Sequence, residues 1–294
     1  MKSRKGKYFL DQTTLEQIIR SKEYNRRYLL FMWEYYSSLA YQRSQIYDKL
    51  KAALISRVKH DVSFTRWCRT VKYRYTLQPL SAKGSLQDPG GRFNIGAIDT
   101  TKFTVFPAHY LAENKHTSES EAIKPPPHKE LLDEYALALT TSQSTTTVVV
   151  NGFLETVFDI SDPKSLDPFL DCIREFSLPH RLISESRSLG LKPDPFPVRT
   201  RDHPLRSILD PNWLQWPVQG DVPANCQILG QIIKDAGIVA VQYPSVITKN
   251  KCLAIYPENI HNTESYVELN DPVPTEDVSK RIDKSNFEKC WAGE

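Results

Sequence analysis

Gly84-Ser85-Leu86-Gln87-Asp88-Pro89-Gly90-Gly91-Arg92-Phe93-Asn94 is the stretch around which the rest of the chain is read. Two adjacent glycines let a backbone come close to a ligand, and the arginine after them offers a fixed fork of donors suited to phosphate or carboxylate. Upstream lies Arg74-Tyr75; downstream, Tyr110-Leu111-Ala112-Glu113 leads to Glu119 and Glu121. Two arginines, two tyrosines and a carboxylate in one short region are what a pocket for a phosphate-bearing aromatic molecule requires. Asp-Pro-Gly-Gly is also an ordinary turn sequence, and the run alone does not separate the two readings.

A second stretch, more than a hundred residues later, changes the balance. Gly237-Ile238-Val239-Ala240-Val241-Gln242-Tyr243-Pro244-Ser245, followed by Lys251-Cys252-Leu253-Ala254-Ile255-Tyr256, reads as strand, Pro-Ser corner, turn and strand. Together the two stretches resemble the RES domain, a family best known as the toxin half of bacterial toxin-antitoxin pairs. The matching features are Arg74 ahead of Gly-Gly-Arg-aromatic-Asn at 90–94, Tyr-Leu-Ala-Glu at 110–113 with Glu121 eleven positions beyond Tyr110, and Tyr-Pro-Ser at 243–245. The likeness spans about half of the chain. It departs at Phe93, where tryptophan is common, at Ile95, where proline is, and in the long interval between Glu121 and Ser245.

The resemblance implies an α+β, ADP-ribosyltransferase-like body with mixed sheets whose cleft holds NAD, and cleavage of the bond joining nicotinamide to ribose. The acceptor would be phosphate or water; transfer of ADP-ribose to a protein is the alternative. It also implies a separate antitoxin protein as partner, and no metal. Arg74, Glu121 and Ser245 are then the catalytic candidates, and Tyr75, Gly90, Gly91, Arg92, Asn94 and Tyr110 the NAD-binding ones. Arg74 and Arg92 are assigned to the pyrophosphate, Tyr75 and Tyr110 to stacking, and Ser245 to the nicotinamide amide or ribose. Glu121 is preferred over Glu119 on its distance from Tyr110.

Those roles suit the chemistry. The nicotinamide of NAD is already cationic and departs as a neutral ring, so a general acid is unnecessary. The demand is for a carboxylate beside an oxocarbenium-like sugar, as in glycoside hydrolysis. Ser245 lacks the Gly-x-Ser-x-Gly elbow of a hydrolase nucleophile. No metal-ligand cluster and no phosphate loop of kinase or dehydrogenase type is visible. A non-catalytic nucleotide- or nucleic-acid-binding protein is the rival from another class.

Composition sets the frame. With 40% hydrophobic and 25% charged residues, 294 residues make an ordinary globular chain. A net charge of +3 names no partner, but residues 1–70 hold fifteen Lys and Arg against six Asp and Glu, leaving the remainder at −6. That segment suits packing or a partner better than nucleic acid. Five cysteines without Cys-x-x-Cys spacing argue against a disulfide framework and a structural zinc site. No apolar run reaches signal-peptide or membrane-span length, so a reducing cytoplasm is expected.

In chain order, Thr13-Thr14-Leu15-Glu16 offers a capping box and helices are expected to about Ala40. A second helix with Ile46, Leu50, Leu54 and Val58 on one stripe continues towards His60. Residues 1–66 read as a helical addition, 67–270 as a RES-like catalytic domain with a long insertion at about 122–224, and 271–294 as a loosely held polar tail. Strands are expected over Lys72–Leu77, carrying Arg74, over Phe103–Phe106, and at His109-Tyr110-Leu111. A helix is expected over about His128–Leu139. Thr145–Val150 and Phe153–Ile160 read as a hairpin around Asn151-Gly152. Asp162-Pro163 opens a helix, and 179–223 is irregular. Asn225 caps a helix stopped by Gly237, and Tyr266–Leu269 forms a last strand. The added segments leave three roles open: access to the cleft, self-association as a homo-oligomer, or choice of a protein acceptor.

Overall fold

The computed structural model describes residues 15–122, 144–162, 164–191, 202–273, 275 and 278–291, and gives no side-chain detail for 15–18 and 202–204. The Thr13-Thr14 cap and the helix expected over 128–139 lie outside the described residues. The chain opens with α1 (Leu15–Gln45) and α2 (Tyr47–Ile55). Among the described residues, no helix is long and apolar enough to cross a membrane.

The stripe on α2 stops earlier than its spacing suggests. Leu50 and Leu54 are fully buried, but the helix ends at Ile55, and Val58 begins a fifteen-residue strand, β1 (Val58–Lys72). The boundary expected at 66–67 therefore falls inside a strand. Beyond β1 come β2 (His109–Ala112), α3 (Lys115–Ala122), β3 (Thr145–Asp159), α4 (Asp167–Ile173), α5 (His180–Ser188), α6 (Asp202–Ile208), α7 (Gln215–Gly220) and α8 (Asn225–Asp235). The chain ends with β4 (Ala240–Pro244), β5 (Lys251–Ile255), β6 (Tyr266–Leu269) and β7 (Arg281–Ile282).

The strands close on themselves. β1 meets β2 at Cys68 and Ala112, β2 pairs with β5, β5 with β4, β4 runs parallel to β3, and β3 returns antiparallel to β1. β6 and β7 extend the sheet from β3. β3 thus sits at the centre of the sheet, inside the range expected as an insertion. Alternation along the strands divides the interior. Leu111, Leu253 and Ile255 face one core with Val150, Leu154 and Val267. Ala112, Cys252 and Ala254 face a second core shared with α2, α4 and α8. Period-two patterning of this kind is what a strand covered on both sides demands. The body is a mixed helix-and-sheet structure with a strand-rich centre.

Asn151-Gly152 does not turn the chain. Both residues lie within β3, opposite an irregularity in β1 between Phe64 and Trp67, where Arg66 takes φ 57°. The extra residue of such a bulge leaves a backbone N–H without its ladder partner. Asn151 Oδ1 accepts that bond from Arg66 N at 2.8 Å. Gly152 makes room: a Cβ there would lie 2.3 Å from Phe64 Cζ and 2.5 Å from the Tyr266 carbonyl oxygen. The pair that signals a hairpin serves a bulge instead. Gly152→Ala is accordingly expected to cost about 2 kcal/mol, the scale of overpacking in a closed core, read as a lower urea midpoint with an unchanged slope.

Other expectations shift as well. Tyr73–Tyr75 is a 3₁₀ turn, so β1 ends where a strand carrying Arg74 was expected to begin. Phe103–Phe106 is not a strand: Phe103 packs on Trp33 and Tyr36 of α1, and Phe106 is buried. The helix expected from Asp162 starts at Asp167, behind a turn in which Asp162 O accepts from Ser165 N. The described parts of 179–223 hold three short helices, the first entered through Pro179. α8 is flanked by Ala224, with Asn225 as its first residue, and Gly237 ends the segment at φ 76°. The polar tail is anchored by its few apolar residues. Val278, Ile282 and Cys290 are buried, and the Cys290 carbonyl accepts from Ala82 N at 2.8 Å and Ser81 Oγ at 3.1 Å.

Candidate active site

The glycine run folds back on itself. Gly90 N donates to the Gln87 carbonyl at 2.6 Å, and Gly90 adopts φ 91°, where a Cβ would strike Gly96 N at 2.4 Å. A Cβ on Gly91 would fall 2.3 Å from the Tyr110 hydroxyl. The close approach that these glycines permit includes the protein's own Asn94, Gly96 and Tyr110. Asn94, fully buried, holds the run together. Its Oδ1 accepts from Gly91 N (2.9 Å) and Tyr110 Oη (2.8 Å), and its Nδ2 donates to the carbonyls of Ser85 (2.7 Å) and Phe106 (3.0 Å). Tyr110 Oη in turn accepts from Phe93 N at 2.9 Å. Burial raises the Tyr110 phenol above its ordinary range, so the hydroxyl stays protonated and committed within the fold.

Glu121 and Ser245 meet across 124 residues. Ser245 is fully buried, and its Oγ donates to Glu121 Oε1 at 2.5 Å. Ser245 Oγ itself accepts from the backbone N–H groups of Ile247 and Thr248, both at 3.1 Å. Two N–H groups at the hydroxyl oxygen leave its hydrogen for the carboxylate. Pro244 ends β4 by lacking a donor, and Ser245 N pairs with the Asn250 carbonyl at 2.7 Å to close the turn. Helix α3 has almost no apolar face and docks through hydroxyls. Thr117 Oγ1 lies 2.9 Å from Thr248 Oγ1 and accepts from Asn250 Nδ2 at 3.0 Å, while Ser118 Oγ lies 2.8 Å from Thr70 Oγ1. These contacts orient α3 so that Glu119 faces Thr147 and Lys115 and Glu121 faces Ser245.

Arg92 is buried, and its Nη1 donates to the carbonyls of Ile208 (3.3 Å) and Asp210 (2.9 Å), with the guanidinium 5.6 Å from the Trp213 ring. It ties the glycine run to the 208–210 segment. That segment walls a cleft of about 680 Å³, lined by Tyr35, Arg206, Asp210, Trp216, Ser245 and Lys249 among others. Arg74 stands apart on its exposed turn. Its Nη2 donates to Gln87 Oε1 at 2.8 Å and it lies over the Tyr75 ring at 4.8 Å; the described contacts join Arg74 and Tyr75 to the glycine run and not to Glu121 or Ser245. The sequence candidates are thus gathered in two places. Glu121 and Ser245 form one pair, and Gly90, Gly91, Asn94 and Tyr110 one knot, with Phe93 against Tyr243 (4.6 Å) between them.

Nearby thiols are inert. Burial first, and then the Glu121 charge, pushes Cys252 up to about 12, and burial pushes Cys226 up to about 12. Neither supplies a thiolate nucleophile at neutral pH. Among the described residues no group of His, Cys, Asp and Glu is placed to hold a metal ion.

Sequence reasoning passed over three supports. Gln227, fully buried on α8, donates Nε2 to the carbonyls of Pro89, Gly91 and Asn94 at 2.8, 3.2 and 3.0 Å. Arg69 is the buried strand arginine, donating to the carbonyls of Pro79, Ser81 and Tyr110. Burial lowers it to about 10, so it keeps its charge at neutral pH. His109 lies beside it, with Nε2 hydrogen-bonded to the Leu80 carbonyl and Nδ1 without a hydrogen-bond partner. No local pattern marks any of the three, because each acts on backbone carbonyls distant in sequence.

Burial, and then the Arg69 charge, hold the His109 imidazole well below its ordinary value. A folded value below the unfolded one, about 6.5, means that the contribution to stability is full above that pH and declines as pH falls beneath it. Urea midpoints compared at about pH 7.5 and about pH 5.5 are expected to drop on the acid side, and the drop to shrink in His109→Gln.

No protein-family model matches the chain, and no curated protein matches it. A chain of the crystal structure of the M. tuberculosis MbcT-MbcA toxin-antitoxin complex is similar, at 15% identity over 83% of this chain and 98% of that one, with a TM-score of 0.38.

Proposed function

We propose that the protein consumes NAD, breaking the bond between nicotinamide and ribose with water or phosphate as the acceptor. The observation that carries this reading is the 2.5 Å contact between Ser245 and Glu121. It joins two of the three catalytic candidates implied by the RES resemblance. Ser245 also lines a cleft with Arg206 and Lys249 on its walls, cations suited to a pyrophosphate. A cleft of about 680 Å³ falls within the range of small-molecule sites.

In this reading Glu121 faces the anomeric carbon. As nicotinamide leaves with the bonding electron pair, becoming neutral, positive charge develops on the ribose, and the fixed carboxylate stabilises it. Ser245 holds that carboxylate by donating to one oxygen. Arg92 acts from behind, fixing the 208–210 wall. The buried knot around Asn94 keeps the glycine run rigid, so its part is support. A cell that loses its NAD stops growing, and the reading therefore brings with it a separate neutralising protein.

The test is direct. Purified protein is incubated with NAD, with and without phosphate and with candidate protein acceptors, and the products are resolved by mass. Nicotinamide is expected together with ADP-ribose or its 1″-phosphate. A folded sample that releases none under any condition would defeat the reading; an ADP-ribose mass added to a protein would move it to transfer.

A further inference from the structure

The cleft beside Ser245 has a second wall that the chemistry at Glu121 does not use. It comes from the helical segments: Tyr35 of α1, Leu205 and Leu209, and Trp216 of α7. We propose that Trp216 is the platform for the second base of the dinucleotide, the adenine ring, and that α1 builds this subsite by backing it. The identity of the ligand rests on the function proposed above; the subsite itself rests on the following geometry.

Trp216 is half-buried, so part of its indole is open to the cleft while the rest packs inward. Behind it stands Tyr35, only 5% exposed, with ring centroids 5.9 Å apart and planes tilted by 36°. Phe31, 2% exposed, stacks on Tyr35 at 6.0 Å with planes 14° apart. The row Phe31, Tyr35, Trp216 fixes the orientation of the outermost ring, and a ring fixed in advance loses little freedom when a base stacks on it. Leu205 and Leu209 add apolar surface to the same cleft.

The remainder of the lining suits what lies between two bases. Arg206 and Lys249 are exposed side chains on the cleft, one on the helical wall and one on the turn that carries Ser245. Cations on both walls can neutralise a bridging pyrophosphate. Asp210 repels phosphate, but its carboxylate can accept from a ribose diol, and one oxygen already accepts from Asn212 N at 2.8 Å. An aromatic platform on the helical wall and cations on both walls are the groups that the adenine and the pyrophosphate of a dinucleotide call for. A lone nicotinamide nucleotide would leave the platform empty.

The proposal separates two substrates. NAD and nicotinamide mononucleotide share the scissile bond, but only NAD carries adenosine. Trp216→Leu keeps apolar bulk and removes the aromatic face. It is expected to raise KM for NAD roughly tenfold or more, the scale of one lost base stack, with kcat and all constants for the mononucleotide unchanged. A merely structural role would degrade both substrates together, and that result overturns the proposal. Trp216→Phe is expected to restore much of the NAD affinity.

Binding of ADP-ribose, followed by calorimetry, gives a readout independent of turnover. If ADP-ribose binds and Trp216→Leu abolishes it while NAD stays intact, the subsite stands and the cleavage reading falls. If NAD is cleaved but Trp216→Leu binds ADP-ribose as well as the original, the subsite falls and cleavage stands. Should Trp216→Leu fail to fold, Arg206→Ala decides, since that exposed side chain leaves the core untouched. ADP-ribose affinity is then expected to fall several-fold, and an unchanged affinity refutes the assignment.

Discussion

Glu121→Gln is expected to slow the proposed cleavage of NAD by about a thousandfold, with KM within a few-fold of the original. The substitution preserves shape and a hydrogen-bond acceptor for Ser245 but removes the charge. A thousandfold is about 4 kcal/mol of transition-state stabilisation, the scale found when one preorganised electrostatic partner is taken from a reacting centre. The loss should fall on kcat, because the ribose acquires its charge only as nicotinamide departs. Ser245→Ala should cost less, about tenfold, by freeing the carboxylate to rotate. The control is Glu119→Gln: that side chain faces Thr147 and Lys115, and near-normal turnover is expected. Steady-state release of nicotinamide measures all three. An active Glu121→Gln beside a dead Glu119→Gln would reverse the assignment of the two carboxylates.

Asn94→Leu is expected to destabilise the fold by about 4 kcal/mol. Asn94 is fully buried and makes four hydrogen bonds, to Gly91 N, Tyr110 Oη and the carbonyls of Ser85 and Phe106. An apolar replacement of similar branching leaves those four groups facing a side chain that cannot pair with them. Each unsatisfied buried group costs about 1–3 kcal/mol, and relaxation recovers part of the sum. Urea denaturation followed by far-ultraviolet circular dichroism measures it. The alternative expected from sequence, that Asn94 binds NAD, gives the opposite pattern: stability held and ligand affinity lost. The geometry favours support over binding, since all four bonds are made within the protein.

How far the sequence was legible depends on the range of the interactions that fix each element. β4 and β5 are readable because their signals are local: Gly237 before the apolar run, Pro244 at its end, and the continuous apolar run Cys252 to Ile255 that a strand buried on both faces carries. The Glu121–Ser245 pairing was approached through motif order, but no spacing rule says that α3 turns Glu121 rather than Glu119 towards Ser245. That choice belongs to Thr117 and Ser118, hydroxyls whose partners are Thr248 in the turn after β4 and Thr70 on β1. Asn151-Gly152 misled because its hairpin preference is real for an isolated pair of strands; the bulge at Arg66, visible only once β1 lies alongside, uses the same two residues differently. β1 itself was taken for helix up to His60 since its first half is polar on one side and follows a true helix. Arg74 was placed on a strand that ends at Lys72, and Arg69, the arginine the strand buries, passed unnoticed. The cleft's aromatic wall could not be read at all, because Tyr35 and Trp216 are brought together only by tertiary packing.

The ring of strands closes only once β5 has been made, and this has a consequence for when the Glu121–Ser245 pair can form. β2, which leads into α3, pairs along its whole length with β5, and β5 also holds β4, which delivers Ser245. A nascent chain that has passed Glu121 on the ribosome still lacks the partner that orients it. At roughly 5–20 residues per second, the 124 residues separating the pair take about 6–25 s to translate. Throughout that interval the carboxylate has no serine to hold it, so a chain caught between the two positions carries no assembled pair.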